Sequence, residues 1–332
     1  MSRRAWLGLW IAAAALIVPA AHLALGRGVD WSELLAGTDM VSWRVLTELR
    51  LPRLVVAMFA GTALGLAGLA LQSVLRNPLA APELTAVNPS AVLGYLIASG
   101  TGLIDGGSVF SSVLSATVGG LLGGGLLWLV AHRRTSEQTA VLGLLSALAL
   151  TGVVTILIAA RPTGVGGALR WLIGSVEARV AEHVPMIAIP VLAGFAALVL
   201  VADRLEILAV SDSHAHCLGV SPGFWRGVGI GIAVLLASAA VATVGPLAFV
   251  GFVAPHVVRL VFGGRLRRQV VLVAVCGGLF VAASDLIAKA VSLAIQLTGD
   301  GQQVGVPVGA VTCLIGAAAL VAVASSHQES EP

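Results

Sequence analysis

Long apolar runs recur along the whole chain and constrain its fold more than any other feature. They lie near residues 5–25, 53–75, 89–103, 109–131, 139–160, 183–202, 227–246, 249–261, 269–290 and 307–324. A helix needs about 20 predominantly apolar residues to cross a bilayer, and most of these runs approach that length. Lipid offers no hydrogen-bond partner to unpaired backbone, so the runs predict helices. The predicted fold class is an all-α polytopic membrane protein with about ten transmembrane helices.

The composition leaves little material for a separate soluble domain. Of the 332 residues, 58% are hydrophobic and 11% are charged, whereas soluble domains carry about 25% charged residues. We therefore predict a single transmembrane domain over residues 1–332. The run 5–25 follows Arg3 and Arg4 like a secretion signal, but nothing after it resembles a secreted domain, so we interpret it as the first span. The net charge of +3 reflects arginine-rich loops, and no basic patch with aromatic residues indicates nucleic-acid binding.

Two of the apolar runs are too short to cross a bilayer. Residues 89–103 and 249–261 fall below the roughly 20 residues of a spanning helix, so we predict half-spans packed against protein. The second run lies in GPLAFVGFVAPHVVRL, residues 245–260. Pro246 and Pro255 each remove a backbone donor there, which predicts two short helical pieces in place of one long helix. Irregular backbone at membrane depth implies a cavity nearby.

The distribution of basic residues predicts the orientation. An even number of spans places both termini on one side, and eleven basic residues fall on that side against eight on the other. Cytoplasmic loops carry the excess of lysine and arginine, so we predict that both termini are cytoplasmic. Arg259 is expected at that surface, where its side chain can snorkel toward the headgroups.

The sequence lacks the motifs of an ATPase or of an intramembrane enzyme. Lys289 is the only lysine, and no GxxxxGK[ST] phosphate-binding loop precedes it. We find no HExxH motif and no Ser-His pair at helical spacing, so we assign no catalytic residue and no metal ligand. The three cysteines are far apart and predict neither a disulfide framework nor a metal site. Asp285 is the one carboxylate well placed within a span, and Lys289 one turn later is expected to neutralise it.

Five blocks of the sequence occur in a characteristic order. They are LRLPRLVVAMFAGTALGLAGLALQSVLRNPLAAPELTAVNPSAVLG (49–94), DRLEILAVSDSHAHCLGVSPGFWRG (203–227), GPLAFVGFVAPHVVRL (245–260), SDLIAK (284–289) and VPVGAVTCLIGA (306–317). In order and spacing, these blocks resemble the permease subunits of type II ABC importers for iron-siderophores, haem and cobalamin, the FecCD type. The resemblance runs from about residue 45 to residue 316.

The resemblance implies an assembly. The chain would be one of two permease subunits, identical or paralogous, around a translocation path in the cytoplasmic (inner) membrane. Two cytoplasmic ATPase subunits would carry ATP and Mg²⁺, an extracytoplasmic binding protein would deliver the substrate, and this chain would hold no cofactor. A ferric siderophore is the expected cargo, with haem and cobalamin as alternatives. The rival interpretation is a secondary transporter, which would need a coupling-ion site, and Asp285 is the only good candidate.

Arg50 and Arg53 are predicted to serve in docking at the outer mouth of the second span. They are three residues apart, so their side chains share one face. From physics alone they could anchor the span at the lipid headgroups. The resemblance implies instead that they pair with glutamates of the binding protein, and Lys289 falls where the family has a third basic docking residue. Complementary charges of this kind steer encounter more than they add affinity.

The longest polar stretch between late spans is predicted to be the docking surface for the ATPase. The resemblance places this coupling segment at about residues 206–222, where the family pattern LAxGExxAxxLG forms two short helices. The residues assigned to it are Leu208, Ala209, Ser211, Asp212, Ala215, Leu218 and Gly219. A metal site in the stretch HAHC, residues 214–217, is the alternative, but histidines two residues apart on a helix point in different directions.

The resemblance also identifies candidates for the cytoplasmic gate. Asn77 and Leu79 match the family's inner-gate loop, and Thr135 and Ser136 lie near its second gate at the start of the fifth span. The proline between Asn77 and Leu79 explains a helix stop with or without a gate. The segment GGALRWLIGSV, residues 166–176, matches a short outer gating helix, although an amphipathic interfacial anchor has the same pattern.

Overall fold

The computed structural model describes residues 3–26, 28–35, 39–104, 108–131, 136–160, 173–298 and 305–328. In chain order the α-helices are α1 (Arg3–Ala24), α2 (Trp31–Leu35), α3 (Met40–Arg44), α4 (Leu51–Leu75), α5 (Val87–Gly100), α6 (Val109–Ala131), α7 (Ser136–Ala159), α8 (His183–Val210), α9 (Asp212–Cys217), α10 (Pro222–Val244), α11 (Val250–Val261), α12 (Leu266–Thr298) and α13 (Val308–Gln328). A π-helical turn, Val45–Arg50, joins α3 to α4, and a 3-10 turn, Pro82–Leu84, precedes α5. All ten predicted apolar runs correspond to helices, so the all-α fold class is confirmed.

Several of these helices are suited to cross a membrane. Within the described residues, six are long and apolar enough by length and composition. They are Met40–Leu75, Val109–Leu126, Val141–Ala159, His183–Val210, Pro222–Val244 and Leu266–Leu297. Shorter apolar stretches lie in α1, α11 and α13. α5 and α11 have 14 and 12 residues, too few to span a bilayer, as the sequence predicted.

The core is built around α4. This helix is apolar on all sides, and Val56, Leu64, Leu66, Leu69 and Val74 are at most 1% exposed. A helix with no polar face is expected to be surrounded by other elements. α4 indeed packs against α8, α10, α11 and α12. It therefore connects the two ends of the bundle through the most buried part of the protein.

Two glycines allow α4 and α12 to approach closely. A Cβ atom at Gly61 would overlap the carbonyl group of Gly277, and a Cβ atom at Gly277 would overlap that of Gly61. Small residues at helix crossings permit such backbone contact in membrane proteins. The glycine-rich run of the second span thus marks a helix crossing in a compact bundle.

The π-helical turn before α4 accommodates Pro52. Proline lacks a backbone N–H, and its ring clashes with the carbonyl group four residues earlier in a regular α-helix. Over Val45–Arg50 the helix widens, and the N–H of Leu51 bonds to the carbonyl oxygen of Leu46. Turns of this kind are found mainly as single insertions in α-helices, often at functional sites. Arg50 is the last residue of this turn.

The chain breaks between α10 and α11 at Gly245 and Pro246. Gly245 has a φ of 78°, and Phe249, the residue before α11, has a φ of 64°. Glycine adopts this left-handed region without strain, and the following proline prevents α10 from continuing. Pro255, however, lies inside α11 and does not interrupt it. The predicted break between two helical pieces is therefore confirmed at Gly245 and Pro246, and Pro255 lies inside the second piece.

A side chain from α4 replaces the hydrogen bond that Pro255 removes. The carbonyl oxygen of Gly251, which would accept from residue 255 in a regular helix, accepts from Nε2 of Gln72 at 3.0 Å. Oε1 of the same amide accepts from Nη2 of Arg259 at 2.6 Å. Arg259 is thus held against α4, whereas the sequence predicted a side chain snorkelling to the headgroups.

We expect Gly61→Ala to lower the thermal unfolding midpoint of the purified protein in detergent, because the added methyl group must push α4 away from α12. Overpacking of this kind costs about 1–3 kcal/mol. Gly125→Ala on α6 is the matched control, since a Cβ atom there meets nothing within 4 Å, and its midpoint should be unchanged or higher. Equal midpoints for the two variants in a thermal-shift assay would contradict the close crossing.

Candidate functional site

The three residues predicted to dock a binding protein lie around one cavity at the N-terminal end of α4. The cavity has a volume of about 410 Å³, and Arg50, Arg53 and Lys289 line it. Arg179 adds a fourth cationic side chain, and Glu177 adds an acidic one. The fold therefore brings these residues together from the start of α4, from α12 and from the segment before α8.

Asp285 forms a buried charged cluster with residues of two other helices. Its side chain is 1% exposed and accepts two hydrogen bonds from Arg53, from Nε at 2.8 Å and from Nη2 at 2.7 Å. Nε2 of His22, which is 0% exposed, lies 2.7 Å from Oδ2 of Asp285. Bidentate pairs of arginine and carboxylate fix geometry as well as charge. The cluster ties α1, α4 and α12 together.

Lys289 does not pair directly with Asp285, and the prediction based on their spacing was wrong. Its Nζ lies 3.1 Å from Nδ1 of His22 and 3.4 Å from the His22 carbonyl oxygen. Because an ammonium group can only donate, Nδ1 accepts, and Nε2 carries the proton that it donates to Asp285. The imidazole ring thus stands between the two charged groups. Lys289 was expected to donate to the carboxylate of Asp285, but Arg53 and His22 already donate to both of its oxygens.

Arg50 has a structural role beside this cluster. It is 6% exposed, and its Nη1 donates to the carbonyl oxygens of Leu23 at 2.6 Å and Ala24 at 3.3 Å. The last carbonyl groups of a helix lack partners within it, so the guanidinium caps the C-terminal end of α1. Arg53 keeps 20% of its side chain exposed. The two arginines line one cavity but present different amounts of surface to it.

The predicted gate residues Asn77 and Leu79 form a tight turn at the C-terminal end of α4. The helix ends at Arg76, whose φ of 50° and ψ of 33° are left-handed. Oδ1 of Asn77 accepts from the N–H of Leu79 at 2.9 Å, and its carbonyl oxygen accepts from the N–H of Ala80 at 3.0 Å. Leu79 is 51% exposed, so an apolar side chain stands at the tip of this turn.

The other predicted gating segments are described only in part. Thr135 lies outside the described residues, and Ser136 is the first residue of α7. Of the outer segment 166–176, the structure describes residues 173–176. There the N–H of Ser175 donates to the carbonyl oxygen of Val244 at 2.7 Å, which attaches the segment to the end of α10. Gating by these residues stays a prediction.

The predicted coupling segment contains one short helix, whereas two were expected. α8 continues to Val210, and only α9 is separate. Residues 203–210 contain no proline or glycine, so the long helix includes the first of the two predicted short ones. Ser211 then separates the helices and caps α9, because its Oγ accepts from the N–H of His214 at 3.0 Å.

The residues assigned to coupling differ in exposure, and Ser211 and Asp212 are half-buried. Leu208 and Ala215 are fully buried and hold the segment against the bundle. Ala209, Leu218 and Gly219 are exposed, and the φ of 72° at Gly219 ends α9. The exposed set is the one available to a partner.

The histidines of α9 do not assemble a metal site with other described residues. Both His214 and His216 are exposed, and Nδ1 of His216 is 2.9 Å from the carbonyl oxygen of Asp212 in the same helix. Among the described residues, no three His, Cys, Asp or Glu side chains come together to hold a metal ion.

Asp212 lies between two arginines from other helices. It pairs with Nη2 of Arg76, and Nη2 of Arg226 lies 3.0 Å from its Oδ1. Partial burial tends to raise the pKa of Asp212, but hydrogen bonds and charges from Arg76 and Arg226 outweigh this effect and lower it. The carboxylate is therefore ionised at neutral pH and joins the start of α9 to α4 and α10.

Sequence reasoning missed Glu83, which lies in the 3-10 turn between α4 and α5. Both of its carboxylate oxygens and Oδ1 of Asn88 are buried without a hydrogen-bond partner among the described residues. They line a cavity of about 190 Å³ with Thr151 and Pro246. Burial raises the pKa of Glu83 to about 7, and the nearby backbone N–H groups of Glu83 and Phe249, which do not reach hydrogen-bond geometry, offset only part of this rise. Asp285 is therefore not the only buried carboxylate.

Other missed residues gave no local signal. His22 sits in an apolar run, and its partner Asp285 is distant in the sequence. Arg76 and Arg226 look like ordinary loop-flanking arginines of a membrane protein. Only the packing of the helices shows that each of these side chains contacts a carboxylate on another element.

The fold and these sites define the class of protein. The described residues form a bundle with six helices suited to cross a membrane, and a cluster of charged residues lies at each end of the central helix α4, as in a polytopic membrane protein. The sequence profile described as the FecCD transport family matches residues 9–326. The chain belongs to this family, and it is an integral membrane transport subunit.

Individual relatives agree with this assignment. The Fe(3+) dicitrate transport system permease protein FecD of Escherichia coli is 36% identical over 297 residues, covering 87% of this chain and 88% of FecD. The ferric enterobactin transport system permease protein FepG of the same organism is 34% identical, covering 83% of this chain and 81% of FepG. A metal-chelate type ABC transporter solved in an inward-facing conformation shares the fold, with a TM-score of 0.83 at 22% identity over 96% of this chain and 98% of the solved chain.

We expect stability to depend on pH through Glu83. The folded protein binds this proton more tightly than the unfolded chain does, because the pKa rises from 4.5 to about 7 on folding. The free energy of unfolding should therefore fall as the pH rises from about 4.5 to about 7, by up to roughly 3 kcal/mol. Glu83→Gln should remove this dependence in thermal unfolding measured in detergent.

The matched control is Asp203→Asn, because Asp203 is exposed near the end of α8. Its pH profile should follow that of the unaltered protein. If the pH dependence of thermal unfolding is the same in Glu83→Gln as in the unaltered protein, the pKa of Glu83 is not raised in the folded state.

Proposed function

We propose that this chain is one of two permease subunits of an ATP-driven importer that moves a ferric chelate across the cytoplasmic membrane. The observation that carries the proposal is the pair of charged clusters at opposite ends of α4 in a member of the FecCD transport family. One cluster suits a protein that arrives from outside, and the other suits a motor that acts from inside. Relatives named for ferric dicitrate and ferric enterobactin support a ferric siderophore or similar chelate as cargo.

On the outside, the basic cavity is proposed to receive acidic side chains of a substrate-binding protein. Four cationic residues line it against one acidic residue, which gives a positive potential that steers a complementary surface. Arg53, Arg179 and Lys289 are partly exposed and are the proposed contacts. Arg50 is buried, so it would add to the positive potential of the cavity without contacting the binding protein.

On the inside, residues 206–222 are proposed to dock an ATPase subunit. α9 projects exposed side chains, while Leu208 at the end of α8 and Ala215 on α9 fix the segment to the bundle. A phosphate-binding motif is absent from this chain, so ATP and Mg²⁺ would be held by two separate cytoplasmic subunits. Closure of those subunits would move α9 and shift the bundle between inward-open and outward-open states.

This arrangement requires both termini to lie in the cytoplasm. The excess of basic residues on the terminal side supports that orientation. The second permease subunit, identical or paralogous, would complete the translocation path. In such an importer the binding protein supplies most of the affinity for the chelate.

The rival function is an ion-coupled secondary transporter. Glu83 makes this rival more concrete than the sequence did, because its buried carboxylate has a pKa of about 7 and lines a small cavity. A carboxylate with such a pKa can exchange protons near neutral pH. Family membership favours the ATP-driven importer.

We expect uptake to require ATP. The measurement is uptake of a labelled ferric chelate into proteoliposomes that hold the two permease subunits and the ATPase, with binding protein outside and ATP inside. Uptake should stop without ATP and persist when the proton gradient is collapsed. Uptake that follows the gradient without ATP would overturn the proposal, and uptake of haem or cobalamin alone would change the cargo.

We expect Lys289→Gln to weaken docking of the binding protein without unfolding the permease, because glutamine can still donate to His22. The dissociation constant should rise roughly two- to five-fold at low ionic strength, and the difference should shrink as salt is added. Arg265→Gln, an exposed arginine before α12, is the control and should bind normally. Unchanged binding of Lys289→Gln at low salt would exclude the cavity as the docking site.

A further inference from the structure

Arg76 holds an unusual backbone conformation at the end of α4. Its φ of 50° and ψ of 33° lie in the left-handed region, which glycine adopts easily and a residue with a Cβ atom does not. Many helices place glycine or asparagine at such an end. Arginine keeps this backbone conformation only when other interactions of the residue offset its cost.

Two interactions fix the Arg76 side chain to the coupling segment. Nε donates to the carbonyl oxygen of Leu208 at 3.0 Å, one of the last carbonyl groups of α8, which lack partners within the helix. Nη2 donates to the carboxylate of Asp212, the first residue of α9. Arg76 therefore contacts both sides of the junction between α8 and α9.

Asp212 also pairs with Arg226, which is much closer to it along the chain than Arg76 is. Arg226 lies on α10, which follows α9 after four residues, so Asp212 and Arg226 are close along the chain. Arg76 directly follows α4 and is far away in the sequence. When α9 moves relative to α4, Asp212 can keep Arg226 while the contact with Arg76 changes. The contact between Arg76 and Asp212 is thus the one that can open.

The predicted gate turn, Asn77–Leu79, follows Arg76 directly in the chain. Asn77 is the next residue, and its side chain and carbonyl oxygen close the turn onto Leu79 and Ala80. A displacement of Arg76 therefore moves a turn with internal hydrogen bonds as one unit. The exposed Leu79 side chain at its tip would move with it.

We propose that Arg76 is the positioning residue that links the coupling helix α9 to the turn Asn77–Leu79. The contact with Asp212 holds the turn in the position seen here, and motion of α9 releases or redirects it. This inference rests on the proposed function, because it gives α9 the ATPase as its source of motion.

The first test separates coupling from stability. In the reconstituted importer, Arg76→Gln and Asp212→Asn should each lower the amount of chelate transported per ATP hydrolysed by about ten-fold. Arg76→Lys keeps the charge opposite Asp212 and should retain part of the coupling. Arg204→Gln is the control, because Arg204 stacks on Trp225 beside the same segment at 4.8 Å without contacting Asp212, and its ratio should be unchanged. If Arg76→Gln loses transport and ATP hydrolysis equally, the amount transported per ATP is unchanged. Arg76 would then only cap the helix, and the proposal would be overturned.

The second test does not depend on transport. A nitroxide label at Leu79→Cys, in a background with Cys217→Ser, Cys276→Ser and Cys313→Ser, reports the mobility of the turn in the purified permease. Arg76→Gln and Asp212→Asn should raise this mobility, and Arg204→Gln should leave it unchanged. Unchanged mobility in Arg76→Gln would overturn the link even if the importer proves to be ATP-driven. Raised mobility in a protein that takes up substrate without ATP would support the connection between α9 and the turn Asn77–Leu79. It would show that an ATPase is not the source of the motion.

Discussion

The buried carboxylate of Asp285 is the interaction on which the bundle around the N-terminal end of α4 depends. An ionised group away from water is tolerated only when its charge and its hydrogen-bonding positions are matched. Arg53 supplies two hydrogen bonds and His22 a third, so three helices are held at fixed distances. The same requirement explains why Lys289 contacts His22 and why Arg50 covers the carbonyl groups at the end of α1.

The same rule operates toward the C-terminal end of α4, where backbone groups need partners. Pro255 leaves the carbonyl oxygen of Gly251 without its helical donor, and Gln72 supplies one. Because Gln72 also accepts from Arg259, one amide on α4 satisfies both the carbonyl group freed by Pro255 and a half-buried guanidinium group. The proline inside α11 is thus accommodated by a polar side chain on the neighbouring helix.

The sequence predicted the helices well because apolar length and proline or glycine boundaries are local signals. It also placed Arg50, Arg53 and Lys289 near one another, through the resemblance to a family. It failed for Asp285 and Lys289, because helical spacing shows which side chains share a face and not which partners arrive from other helices. It missed Glu83 for a similar reason: a single acidic residue in a loop looks solvated until α5, α7 and Pro246 are seen to enclose it.

The interior of α4 is a poor place for a conformational change, and its two ends are better ones. Its middle is locked by the crossing of Gly61 with Gly277 and by apolar contacts on all sides, and such packed interiors resist continuous deformation. The backbone departs from α-helix only beyond its ends, in the π-helical turn at Val45–Arg50 and at the left-handed Arg76. A motion that opens one side of the bundle can therefore move α4 as a rigid rod, with the changes in backbone angles confined to those two points. Both points carry arginines that contact other helices, so a change of backbone angles at either point would also alter those contacts.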